Sequence, residues 1–194
     1  MHINVKIGGK TMGENNDLYR NFVRDFSNTM CNLTEGRTYS NIIFLCIGTQ
    51  RLTGDAFGPL TGNRLTTLLN DARRINVIGT LENSVSLCNI NNIVQRIKNT
   101  YTNPFIIAID SALSTPANIG SICVCEGGLT VGTSLNRSGV TVGEMNIRAV
   151  VGRNCGNANQ NLCVLQNVPL SRVVNLAEIV SSGIYNSINY DCCE

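Results

Sequence analysis

A three-layer α/β fold, doubly wound around a mainly parallel sheet with helices on both faces, is the architecture this sequence predicts. Three observations carry it. Continuous apolar runs of strand length recur at 41–48 (NIIFLCIG) and 104–110 (PFIIAID), the pattern of strands covered on both faces. Amphipathic stretches with apolar residues at helical spacing lie between such runs. Strands alternating with helices lead to a parallel-type sheet rather than to a sandwich or a bundle.

The elements follow in order. Residues 1–15 read as an N-terminal arm, and 16–190 as a single α/β domain, with no repeat or linker to divide the 194 residues. Leu18, Phe22 and Phe26, followed by Met30, lie on one face of a helix over 17–30. The 41–48 strand ends in Gly48, a polar loop follows, and a second helix is expected over 60–73. A short strand at Val77–Gly79 precedes an amphipathic helix over 89–101, built on Ile90, Ile93, Val94 and Ile97. The 104–110 strand ends in Asp110. Further strands are expected at Ile119–Cys125 and Ile147–Val151, separated by a Gly/Ser/Thr-rich stretch, 127–144. Residues 160–187 are expected to be helical, with Val173, Leu176, Ile179, Val180 and Ile184 on a broad apolar stripe. The 42–47 and 105–110 runs are too apolar to be edges, so they belong adjacent or near-adjacent in the middle of the sheet.

Composition narrows the function. With 43% hydrophobic and 14% charged residues the chain is neither disordered nor a coiled coil. The net charge of +2 is scattered, so no basic stripe marks a nucleic-acid partner. No apolar run approaches the roughly 20 residues of a membrane span, and MHINVKIGGK is no signal peptide, so a cytoplasmic protein without a membrane partner is expected. Nine cysteines, an odd number, do not suggest a disulfide framework. Cys46 and Cys88 lie in apolar surroundings and read as small core residues. Cys123 and Cys125 share one face of a strand. No C-x-x-C pair occurs, and neither a metal nor a cofactor is expected.

In open α/β sheets ligands sit beyond the carboxyl ends of the strands. Because the chain has only 13 acids, those just after apolar runs stand out. Asp110 closes one run, and Asp55 lies in the loop after another. Glu82, Glu126 and Glu144 also lie next to shorter strand candidates. Each aspartate has two readings. Asp55 is a cap on the helix that begins near Gly58–Pro59, or an active-site acid brought back over the strand end by Gly54 and Gly58. Asp110 is a strand-end acid bonded to a neighbouring loop, or the second acid of a site. Other schemes lack their parts. His2 is the sole histidine, which removes Ser/His/Asp and Cys/His arrangements. Lys98 lies on the polar side of its helix, away from Ser111, and no phosphate-binding glycine motif is present. Carboxylate chemistry remains.

The blocks CIGTQRLTGDAFGPLTGNRL, VIGTLENSV, PFIIAIDSAL and VGEMNIRAVVG resemble, in order and spacing over about residues 41–187, the YyaC-type sporulation proteins. More distantly they are similar to the germination protease that degrades small acid-soluble spore proteins, and to the hydrogenase maturation proteases. The resemblance implies a hydrogenase-maturation-protease-like fold, with Asp55 similar to the essential acid of the protease's first loop and Asp110 to its second acid. The histidine that completes a nickel-binding trio in the hydrogenase maturation enzymes has no counterpart beyond His2, and Glu144 is the nearest carboxylate to that region. The implied function is an aspartate-dependent endopeptidase of sporulation or germination, in the forespore or mother cell, acting on spore proteins. A non-catalytic sporulation protein that keeps the fold as a binding module is the alternative. A protein or peptide substrate is the expected partner, and a homo-oligomer the expected assembly.

Overall fold

The computed structural model describes residues 12–131 and 140–190. The arm up to residue 11, with His2, and the terminal Cys192–Cys193 pair lie outside these, as does part of the Gly/Ser/Thr-rich stretch. The first helix, α1, spans Met12–Thr34. It therefore begins inside the stretch read as an arm, because the apolar face of Leu18, Phe22 and Phe26 is extended by a polar turn upstream. The remaining elements are β1 (Ile42–Cys46), a 3-10 turn (Gly54–Ala56), α2 (Phe57–Leu68), β2 (Ile75–Ile78) and α3 (Ile90–Thr100). They are followed by β3 (Phe105–Ser114), β4 (Ile122–Glu126), β5 (Leu129–Thr130), β6 (Thr141–Val142), β7 (Met145–Arg153), α4 (Ala158–Gln166) and α5 (Leu170–Tyr190).

The main sheet has the order β2-β1-β3-β7-β4. β2, β1, β3 and β7 run parallel, and β4 pairs antiparallel with β7 at one edge. The two most apolar runs are therefore neighbours, with β3 central, as their composition required. Period-two alternation divides their side chains between two cores. Phe44, Cys46, Phe105, Ile107, Ile109, Met145, Ile147 and Ala149 face a layer made by α1, α2, α4 and α5. Ile43, Leu45, Ile47, Ile106 and Ala108 face the other side, where α3 contributes Ile90 and Ile97. The rest of that second face is covered by the β5–β6 hairpin, through Leu129 and Val142. This hairpin falls in the Gly/Ser/Thr-rich stretch, where two-residue strands leave no periodic signal. Among the described residues one face thus carries helices throughout, and the other one helix and a hairpin.

Four departures from the sequence expectation have physical causes. The C-terminal helical region is two helices, separated at residues 167–169, where Pro169 cannot continue α4. β4 is antiparallel, since it follows β3 through a short turn at residues 115–121 and pairs with β7 on its outer side. Cys46 is fully buried, but Cys88 is exposed in the loop before α3. And β3 does not end at Asp110: it continues to Ser114, because β7 supplies partners as far as Arg153.

Candidate active site

The overrun of β3 determines where Asp110 lies. β1 pairs with β3 only as far as Cys46 opposite Ile109. Asp110 is the next residue, so it leaves β3 just past the carboxyl end of β1 while still held by β7 opposite Arg148. On its own strand it is interior. On the β1 side it stands at the edge where the loop after β1 turns.

That loop brings Asp55 to the same place. Gly48 has φ 138°, a conformation that favours glycine, and a Cβ there would lie 2.0 Å from the Asp55 carbonyl oxygen. The Thr49 N–H donates to that carbonyl at 3.2 Å and to Asp55 Oδ2 at 2.9 Å. At Gly58 a Cβ would meet the Ile47 carbonyl oxygen at 2.0 Å, so α2 starts in direct contact with the end of β1. Gly48 and Gly58 make the fold-back, whereas Gly54 packs on Leu165 of α4. The Asp55 carboxylate accepts its bond from the loop behind it, and neither the 3-10 turn nor α2 has a side-chain cap at its N-terminus. Asp110 Oδ1 accepts from the Ser111 N–H at 2.7 Å.

Both aspartates line one cavity of about 930 Å³. Its floor is the carboxyl edge of the sheet, with Ser84 and Ser86 on one side and β4 and the β5–β6 hairpin on the other. Burial pushes the Asp55 carboxyl up to about 6, against the opposing Thr49 N–H. Burial also holds Asp110 well above the usual carboxylate range, and the charge of Asp55 raises it further, opposed by the Ser111 N–H. The two groups form an electrostatic pair.

Glu144 is elsewhere. Its Oε2 accepts from the Ile106 N–H at 2.7 Å, near the amino end of β3, and it does not line the cavity. The resemblance made Glu144 a candidate third member of the site, and this is corrected: parallel strands deliver their starts and ends to opposite edges, and Glu144 precedes β7. Among the described residues no group of three His, Cys, Asp or Glu side chains could hold a metal ion. No helix among them is long and apolar enough to cross a membrane.

Sequence reasoning missed Asn146 and Arg148, which also line the cavity. Their signal was readable: in MNIRAVV, polar residues alternate with Met145, Ile147 and Ala149, which marks one face of β7 as polar. Reading 147–151 as a short apolar strand concealed it.

The fold is similar to that of the hydrogenase maturation proteases. The crystal structure of the [NiFe] hydrogenase maturation protease HycI from Thermococcus kodakarensis KOD1 superposes with a TM-score of 0.54 at 15% identity, covering 82% of this chain and 98% of that one. HybD from Thermococcus kodakarensis, also a [NiFe] hydrogenase maturation protease, gives a weaker match, with a TM-score of 0.41 at 13% identity over 79% of this chain and 99% of that one. More particularly, the chain belongs to the family described as "Protein of unknown function (DUF1256)", which matches residues 14–183. A relative, the uncharacterized protein YyaC of Bacillus subtilis (strain 168), is 33% identical over 143 residues, 74% of this chain and 67% of that protein.

Proposed function

We propose that this protein is a peptidase-like hydrolase in which Asp55 and Asp110 act together on a peptide bond. The observation that carries the proposal is the shared cavity: two aspartates, one in the loop after β1 and one within β3, line it, and the charge of one raises the other. Such a pair shares a proton over the range between its two ionisations. Asp55, the readier to ionise, is the base that takes a proton from water as the water attacks the carbonyl carbon. Asp110, which holds its proton to higher pH, donates it to the carbonyl oxygen, takes it back from that hydroxyl as the gem-diol collapses, and passes it to the leaving nitrogen. The pair ends with its proton exchanged between the two carboxyls and is restored by transfer through solvent.

The setting we propose is sporulation or germination, with spore proteins as substrates and the forespore or mother cell as the place. The resemblance to the YyaC-type proteins and the match to YyaC of Bacillus subtilis support it. The test is incubation of the purified chain with small acid-soluble spore proteins, followed on gels. Fragments are expected from the wild type, and none from Asp55→Asn or Asp110→Asn. Intact substrate in every lane, across a range of pH, would reject the enzyme and leave a peptide-binding module.

A further inference from the structure

The cavity that holds the aspartates also holds a cation without a counter-charge. Arg148 lies opposite Asp110 in the β3–β7 register, yet its guanidinium turns the other way, toward β4, where Nη2 donates to Cys125 Sγ at 3.5 Å. Its Nε is buried and has no hydrogen-bond partner among the described residues. Ion pairs among the described residues join Arg24 to Asp25 and Arg64 to Glu178, both on the surface. A thiol is a weak acceptor, so it does not compensate a partly buried guanidinium, whose withdrawal from water carries a cost unless an anion completes it.

Beside it stands a second unsatisfied group. Asn146, two residues earlier on the same face of β7, is 4% exposed. Its Nδ2 donates to the Gly127 carbonyl at 2.9 Å, which fixes the amide orientation and leaves Oδ1 buried with no partner among the described residues. Native proteins rarely leave such groups unpaired, and both line the cavity. Together they offer donors bearing a positive charge and one acceptor, the complement of a carboxylate with a nearby peptide N–H.

We infer that Arg148 and Asn146 form the subsite that determines substrate choice, binding a carboxylate carried by the peptide; this rests on the peptidase reading above. The place of the carboxylate follows from the sheet. Asp110 is on β3 and the partner of Arg148 is on β4, two strand spacings or roughly 10 Å away, so the carboxylate lies about two to three extended residues from the bond that is cut. A carboxylate can come from an acidic side chain or from the chain terminus, and the two share this chemistry.

Three pools of acetylated nonapeptides, randomised except at the centre, separate the sources. One has central glutamine and a C-terminal amide, one central glutamate and a C-terminal amide, and one central glutamine and a free C-terminal carboxylate. Retention on the full chain carrying Asp55→Asn, which prevents turnover, is quantified by mass spectrometry. At least one carboxylate pool should be enriched over the neutral pool by about tenfold, the scale of one charge-assisted bond. Glutamate enrichment assigns a side chain, and free-acid enrichment a chain end. Arg148→Met should remove the preference; if it does not fold by circular dichroism, Arg148→Gln takes its place. Equal retention of the pools, including retention of none, or a preference that survives loss of Arg148, would overturn the inference. Cleavage is assayed separately, so a failed peptidase reading would leave the pool preference standing.

Discussion

Burial sets the behaviour of Asp55 and Asp110 more than any bond they make, since each has one backbone N–H holding its charge and a larger cost of withdrawal from water against it. The working pair needs one ionised and one protonated carboxyl. Activity is therefore expected to rise as pH passes about 6, where Asp55 loses its proton, and to fall at higher pH as Asp110 loses its own. A pH–rate profile without an acid limb near 6 would contradict this. The same shifts bear on stability. A carboxyl whose folded pKa is raised favours the fold while protonated, and that contribution is lost as pH rises through the folded value. For Asp55 the window lies between 3.8 and about 6. Wild type should lose about 2 kcal/mol across it, and Asp55→Asn should remove the loss. At pH 8 Asp110→Asn should raise the thermal midpoint by about 2–4 °C for each kcal/mol of relieved burial while abolishing hydrolysis, the expected trade between a charged site and stability. A lowered midpoint would show that the carboxyl has a structural role.

At the scale of elements, the turn from β1 into α2 is the critical one. It crosses from the sheet to the helix so tightly that two carbonyl oxygens occupy the space of two missing side chains, at Gly48 and Gly58. Gly48→Ala must push the Asp55 backbone away, and its φ of 138° is strained for any side chain. A loss of about 3 kcal/mol, with activity gone, is expected by denaturant unfolding. Gly127→Ala is the control: it too has positive φ, but a Cβ there meets nothing within 4 Å, so a loss near 1 kcal/mol is expected. Equal costs would mean that backbone strain alone, and not the close approach, explains Gly48.

The whole molecule is asymmetric about its sheet. One face is sealed by α1, α2, α4 and α5, and the other leaves room for a cavity between α3 and the β5–β6 hairpin. Stability should follow the same division. Amide exchange followed by mass spectrometry should be slowest in β1, β3 and β7, which are paired on both sides, and faster in β2, β4 and the two-residue β5 and β6. Uniform protection from β3 to β6 would show that the hairpin is an integral part of the core instead of a thin cover over the cavity.

What the sequence determined by itself is the layer order and the two acids. Runs such as IIFLC and FIIAI admit few structures other than central parallel strands, and acids placed after such runs are few enough to name. Sequence distance, however, says nothing of which strand a residue pairs with. Only the tertiary structure decided that β7 pairs beyond Asp110 and so keeps it inside a strand while β1 stops short. It also placed Glu144 at the opposite edge and Cys88 at the cavity instead of in the core. The turn at Asp55 was readable as glycine-rich, with Gly48 open to close approach or positive φ, but which carbonyls Gly48 and Gly58 meet was not. Local propensity reports the conformation of a segment. The environment of Asn146 and Arg148, polar groups facing a cavity that strands distant in sequence enclose, arises from pairing between those strands and exists only once the sheet has formed.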